Sequence, residues 1–87
     1  MYKLRVRKSV ETIFLKLAKK NPKQLEIIEK KIEEIRKNPQ HYKSLKKPLQ
    51  HLRRVHIDKS FVVVFSIDEL AKTVVIEDYN HHDKIYR

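Results

Sequence analysis

The sequence of 87 residues contains neither cysteine nor glycine. Without cysteine the chain forms no disulfide and offers no thiolate ligand to a metal. Without glycine it lacks the loops that hold phosphates in P-loop proteins and dinucleotide-binding folds, so both classes are excluded. Turns that require a positive φ must be made by other small polar residues, for which the candidates are Asn21, Asn38, Asp58, Asp68 and Asn80.

Long apolar runs are also missing. No segment approaches the roughly 20 apolar residues that a membrane-spanning helix needs. The first residues, MYKLRVRKSVE, alternate charged with apolar side chains and lack the apolar core of a signal peptide. We therefore expect a cytoplasmic protein without a membrane partner.

Charge of one sign is abundant. The chain has 21 Lys and Arg residues against 11 Asp and Glu, which gives a formal net charge of +10. This excess favours a polyanionic partner, which is nucleic acid, an acidic protein or an anionic membrane surface. A solvated surface rich in Lys and Glu would account for the 37% of charged residues but not for the imbalance of signs. We favour nucleic acid.

The first half of the chain predicts a strand and two helices. Residues 2–7 alternate between apolar and basic side chains, as a half-buried strand does. Ser9 is suited to cap a helix, and apolar residues at helical spacing continue it over residues 10–20. The stretch NPKQ, residues 21–24, starts a second helix, which Asn38-Pro39 ends. The short connection between the helices predicts an antiparallel hairpin.

The second half predicts three strands. They cover residues 52–57, 61–67 and 73–79 and follow a basic loop, residues 39–50, that shows no periodicity. The strand FVVVFSI is apolar on both faces and is therefore central. The predicted fold is one α+β domain over residues 1–87 with the order β-α-α-β-β-β, in which a helical hairpin packs on one face of an antiparallel sheet.

The sheet face opposite the helices is predicted to be basic. Alternation places Arg54 and His56 there, with Lys3 and Arg5 on the same side. The final residues, DYNHHDKIYR, follow the last strand and can fold across this face. Such a face has the groups that cleave RNA without a metal, because histidine transfers protons near neutral pH, lysine and arginine stabilise developing negative charge, and tyrosine stacks on a base.

These residues also have simpler interpretations. His56 could equally be a polar residue on an exposed strand. His81, His82 and Asp83 could bind a metal, but adjacent histidines in an extended segment point to opposite faces, and the chain has no matching motif. We therefore expect neither a metal site nor another cofactor.

Three motifs in this order resemble those of the RelE/ParE toxin superfamily, and the resemblance covers nearly the whole chain. They are LKKPL, the strands RRVHI and FVVVF, and the ending HHDKIYR. The greatest likeness is to RelE-type mRNA interferases. The resemblance implies the toxin of a type II toxin–antitoxin system, which enters the ribosomal A site and cuts mRNA by metal-free attack of the 2′-OH. It also implies inhibition by an acidic RelB-like antitoxin.

The resemblance assigns roles by position. It implies catalytic groups at Arg54, His56, His82 and Tyr86, and substrate-binding groups at Lys46, Lys47, His81 and Arg87. One position departs from the pattern, since many RelE-type members carry an arginine where this chain has Val62. The charge that stabilises the phosphate must then come from Arg54, Lys46 or Lys47.

Two other functions stay open at this point. The ParE branch shares the fold but inhibits gyrase without nuclease activity, and a basic RNA-binding module would need no catalytic groups. The histidines and tyrosine of the C-terminal segment favour the endoribonuclease over both, whereas the basic charge alone does not discriminate.

Overall fold

Four strands and two long helices make up the computed structural model, which describes residues 1–85. The order matches the prediction and adds a short helix at the end of the described chain. The elements are β1 (Lys3–Val6), α1 (Lys8–Lys20), α2 (Pro22–Lys37), a 3₁₀ turn (Pro39–His41), β2 (Arg53–Ile57), β3 (Phe61–Asp68), β4 (Thr73–His81) and α3 (His82–Ile85). Within this range no helix is long and apolar enough to cross a membrane.

The α+β fold is confirmed, with one difference at the edge of the sheet. The strand order is β1-β4-β3-β2, and β2, β3 and β4 form the predicted antiparallel meander. The edge strand β1, however, pairs parallel with β4. The reason is that α1 and α2 carry the chain out and back, as the hydrogen bond from Tyr2 N to Arg36 O (3.0 Å) shows. The strand β2 therefore starts at the same end as β1, and β4 runs in the direction of both.

The helix boundaries follow local capping chemistry, though not always at the predicted residue. Asn21 caps α2 through its Oδ1, which accepts the backbone N–H of Gln24 at 3.3 Å, and Pro22 occupies the first turn. Ser9 does not cap α1, because that helix already begins at Lys8 and has no side-chain cap. Among the candidates for a positive φ, Asp58 adopts one at 60°.

The core lies between the helical hairpin and one face of the sheet, as the alternation predicted. Val55, Ile57, Val63 and Phe65 are buried there against the apolar side of α2. A buried hydrogen bond of 3.0 Å, from Gln24 Nε2 to the Tyr79 hydroxyl, ties α2 to β4. Burial raises the pKa of Tyr79, so the hydroxyl stays protonated at neutral pH.

Opposite the helices, Glu77 connects Arg7, the residue before α1, to the sheet. It is the extra residue of a β-bulge in β4 beside Val64 and Phe65. Its carboxylate accepts hydrogen bonds from Arg7 Nε (2.8 Å) and Ser66 Oγ (2.6 Å). Burial alone would raise the pKa of Glu77, but these hydrogen bonds and the charge of Arg7 lower it below the usual value.

Replacing Tyr79 with Phe should lower the free energy of unfolding by about 1–3 kcal/mol, because it leaves the buried Gln24 amide without its acceptor. Urea unfolding at neutral pH measures this change. The control is Tyr42→Phe, since the Tyr42 hydroxyl makes no hydrogen bond within residues 1–85. Equal losses in the two variants would contradict a stabilising role for the Gln24–Tyr79 bond.

Replacing Glu77 with Gln should reduce stability at neutral pH but not in acid. A carboxylate whose folded pKa is lowered stabilises the fold above its unfolded pKa of about 4.3, and this contribution disappears as the pH falls through the folded pKa. Thermal unfolding between neutral pH and about pH 3 should show the two proteins converging. The control is Glu26→Gln, on the exposed side of α2, which should have the same thermal stability as the original protein at every pH.

Candidate active site

A basic groove of about 840 Å³ lies on the sheet face opposite the helices. One wall is the segment between the 3₁₀ turn and β2, the floor is β2, and the other wall is α3. Its described lining consists of Lys43, Ser44, Leu45, Lys46, Lys47, Pro48, Leu49, Arg54, His56, His82 and Ile85.

The wall that carries Lys46 and Lys47 is the predicted basic loop, which one isolated β-bridge between Ser44 and Arg53 folds into a hairpin, called the lysine hairpin below. Its strands meet through hydrogen bonds from Leu45 N to Leu52 O (2.8 Å) and from Arg54 N to Lys43 O (3.2 Å). A turn closed by Leu49 N and Lys46 O (2.9 Å) forms its tip. The hairpin therefore continues the edge of the sheet and holds Lys46 and Lys47 at the mouth of the groove.

Two histidines, one on β2 and one at the start of α3, meet in the groove. His56 lies on β2 opposite Val62 of β3, and β4 ends one residue before His82. The backbone N–H of His82 donates to Ser60 O at 2.7 Å, which fixes the start of α3 beside the β2–β3 turn. As a result the two imidazole rings stack, with centroids 5.7 Å apart and planes 29° apart.

Arg54 and Arg53 are adjacent but have different surroundings. Arg54 lines the groove on the same face as His56. Arg53 instead donates from Nη1 to Tyr42 O at 2.6 Å, which anchors the chain before the lysine hairpin. Of the two arginines, Arg54 is therefore the one that lines the groove.

The groove concentrates positive charge. Four permanent cations line it, together with the two stacked histidines, and within residues 1–85 its lining contains no carboxylate. The exposed Asp83 lies at the rim, with Oδ1 3.5 Å from His82 Nδ1. An anionic ligand entering this groove meets fixed positive charge and two imidazole rings.

The other predicted site residues fall elsewhere. His81 points to the opposite side of β4 from His82, where its ring meets the edge of Phe61 with centroids 5.5 Å apart. His81 is thus not among the described residues that line the groove, although its Nδ1 lies 3.7 Å from Asp83 Oδ2 at the rim. Tyr86 and Arg87 lie outside the described residues, so their assignments stay predictions.

The sequence did not identify all the residues that line the groove, and it did not show where Val62 lies. Lys43, Leu45 and Ile85 line the groove but were not predicted as site residues. The signal for Lys43 was the basic loop itself, whereas its pairing with β2 depends on backbone hydrogen bonds that residue types do not encode.

Val62 is fully buried opposite His56, where an arginine would need room that is not present.

Comparison with known families identifies relatives along the whole chain. The model of the "ParE toxin of type II toxin-antitoxin system, parDE" matches residues 1–86. An uncharacterized protein from Methanosarcina mazei is 62% identical over 86 residues, which are 99% of this chain and 100% of that protein. A protein from Methanocaldococcus jannaschii, provisionally named toxin RelE4, is 52% identical over 87 residues, which are 100% of this chain and 93% of that protein.

A solved structure shares the fold. It is the toxin–antitoxin complex RelBE2 from Mycobacterium tuberculosis, in which one chain superposes with a TM-score of 0.75. The match covers 93% of this chain and 91% of that chain at 22% sequence identity. At this level of identity the likeness concerns the fold alone.

Replacing Lys46 and Lys47 with Gln should reduce the salt dependence of RNA binding. If each lysine contacts one phosphate, the slope of log K against log salt should fall by about 1.4, since a single-strand contact contributes about 0.7. Fluorescence anisotropy with a single-stranded RNA at several KCl concentrations measures this slope. Lys30→Gln with Lys37→Gln, on α2, removes the same charge away from the groove. Equal slopes for the two double variants would show that RNA does not use the groove.

Proposed function

The chain belongs to the ParE toxin family of type II toxin–antitoxin systems, and we propose that it is a metal-independent endoribonuclease that cuts mRNA in the ribosomal A site. The observation that carries the proposal is the stacked pair of His56 and His82 in a groove lined by fixed cations. This combination provides two proton-transfer groups beside a place for phosphate.

The proposed reaction is attack of a ribose 2′-OH on the adjacent phosphorus. His56 accepts the 2′-OH proton while the oxygen bonds to phosphorus. The bond from phosphorus to the 5′-oxygen breaks, and His82 gives that oxygen a proton. The products are a 2′,3′-cyclic phosphate and a 5′-OH. The proposal assigns both rings, whose centroids are 5.7 Å apart, to the two oxygens of a single phosphate.

Cations in the groove stabilise the negative charge that develops on the phosphate during this reaction. Arg54, on the same strand face as His56, is the main stabiliser of the phosphorane in our proposal, since Val62 supplies no charge. Lys46 and Lys47 hold the RNA backbone from the hairpin wall. Tyr86 is proposed to stack on the exposed base and Arg87 to contact the backbone, as the resemblance implied.

Family membership also gives the chain an antitoxin partner. We propose that this antitoxin is acidic and RelB-like, because a chain with a net charge of +10 is best neutralised by carboxylates. We also propose that the protein acts in the cytoplasm, where ribosomes and mRNA are found. One observation favours a ParE-like inhibitor of gyrase instead, namely the description of the matching family model. The histidine pair in the groove is the feature that such an inhibitor would not need.

Replacing His82 with Gln should lower the rate of mRNA cleavage by about 10²- to 10⁴-fold, which is the usual contribution of general acid catalysis. Arg54→Ala should lower it by about 10²- to 10³-fold through lost charge stabilisation. Single-turnover cleavage of ribosome-bound mRNA, with folding checked by circular dichroism, measures both. His41→Gln is the matched control, because His41 is exposed and lies outside the groove lining.

Two results would contradict this proposal. Full activity of a protein carrying both His56→Gln and His82→Gln would remove the histidine pair from the mechanism. Loss of gyrase supercoiling activity in the presence of the toxin, with mRNA left intact, would favour the ParE-like alternative.

A further inference from the structure

A second cavity, of about 430 Å³, lies where the α1–α2 junction meets the β2–β3 turn. Leu17, Phe61 and Tyr79 form its apolar wall. Gln24, Asp58 and Asn80 line its other side. We call this cavity the hairpin pocket. Its volume falls within the range of about 300–1,000 Å³ that is usual for small-molecule sites.

The surroundings of the hairpin pocket are basic. Lys59 follows the pocket residue Asp58 in the β2–β3 turn, and Lys23 precedes Gln24. Residues 12–25, which form the end of α1 and the start of α2, contain no carboxylate and four exposed lysines: Lys16, Lys19, Lys20 and Lys23. The cations suit the phosphates of a ligand, and the aromatic and amide groups of the pocket suit a planar polar ring. A nucleotide combines both features.

The pocket and the basic groove lie on the two sides of the end of β4. His82 lines the groove, while the preceding His81 contacts Phe61 of the pocket wall, with ring centroids 5.5 Å apart. Successive residues of a strand rise by only about 3.3 Å. The groove and the hairpin pocket are therefore reached by two adjacent residues at the end of β4.

We propose that the hairpin pocket binds an unpaired base of the RNA strand whose cleaved phosphate lies in the groove. This inference rests on the proposed function, and it gives His81 a place on the path of the strand between the two cavities. The Asp58 carboxylate accepts hydrogen bonds but does not donate them, so it favours a base with an exocyclic amino group, such as cytosine, over uracil. The pocket thus contributes to the choice of cleavage position.

Two variants test the pocket. Leu17→Phe fills it, and the matched control Leu15→Phe adds the same bulk at a position on α1 that is 68% exposed. Asp58→Asn removes the carboxylate but tolerates the backbone φ of 60°, because asparagine adopts this conformation readily. The probes are short oligocytidine and oligouridine strands with 2′-O-methyl groups, which block cleavage, and fluorescence anisotropy measures their Kd.

We expect the original protein and Leu15→Phe to bind oligocytidine more tightly than oligouridine. Leu17→Phe should weaken oligocytidine binding by about tenfold, the scale of one lost base contact. Asp58→Asn should reduce the preference for cytosine. Circular dichroism checks the fold of each variant, and Asp58→Asn still tests the proposal if Leu17→Phe does not fold.

The two proposals can fail separately. If both variants bind both strands like the original protein, the pocket proposal is overturned even when mRNA cleavage is normal. Variants that bind RNA normally but lose the antitoxin overturn it as well, since the pocket then belongs to the antitoxin interface. If binding depends on the pocket while the original protein cuts no mRNA, the pocket proposal holds and the endonuclease proposal fails.

Discussion

The candidate site depends on how the last strand ends. The strand β4 pairs with β3 along its whole length, and its continuation is fixed by the 2.7 Å hydrogen bond from His82 N to Ser60 O. This bond places the start of α3 beside the β2–β3 turn, next to the end of the strand that carries His56. Without it the imidazole of His82 would belong to a terminal segment, and such segments are ordered only where contacts hold them. The stacked histidines and the second wall of the groove both follow from this contact.

The distribution of charge is the second constraint. Ion pairs within α2, such as Arg36–Glu33 and Lys31–Glu34, engage carboxylates on the helical side of the molecule. Within residues 1–85 the groove lining has cations and histidines but no carboxylate. Gathering like charges costs stability, and a bound polyanion relieves this cost. A surface that is unfavourable in the isolated protein and favourable in a complex suits a toxin that either RNA or an antitoxin occupies.

Periodicity and capping residues were sufficient for most of the fold. The apolar run of residues 61–67 placed β3 inside the sheet, because a strand that is apolar on both faces is buried on both. Asn21 and Pro22 marked the start of α2 for a similarly local reason. The parallel pairing of β1 was not predictable in this way, since it depends on the direction in which the helical hairpin returns the chain.

The site was predictable in its residue types more than in its geometry. Arg54, His56, His82 and the two lysines do share one groove, as the alternation and the basic loop indicated. That His81 lies on the other side of β4 follows from strand geometry and limits any role it has to the edge of the groove. The stacking of His56 on His82 could not be deduced, because it depends on the register of three strands and on a backbone hydrogen bond.

The central claim is that the histidine pair cleaves RNA through its 2′-OH. The most direct measurement is the position and chemistry of mRNA ends on ribosomes after expression of the toxin. The account predicts breaks within the A-site codon that leave a 2′,3′-cyclic phosphate and a 5′-OH, and it predicts no breaks when His56 and His82 are both replaced by Gln. Breaks that carry a 5′-phosphate, or intact mRNA in cells that the toxin has arrested, would contradict it.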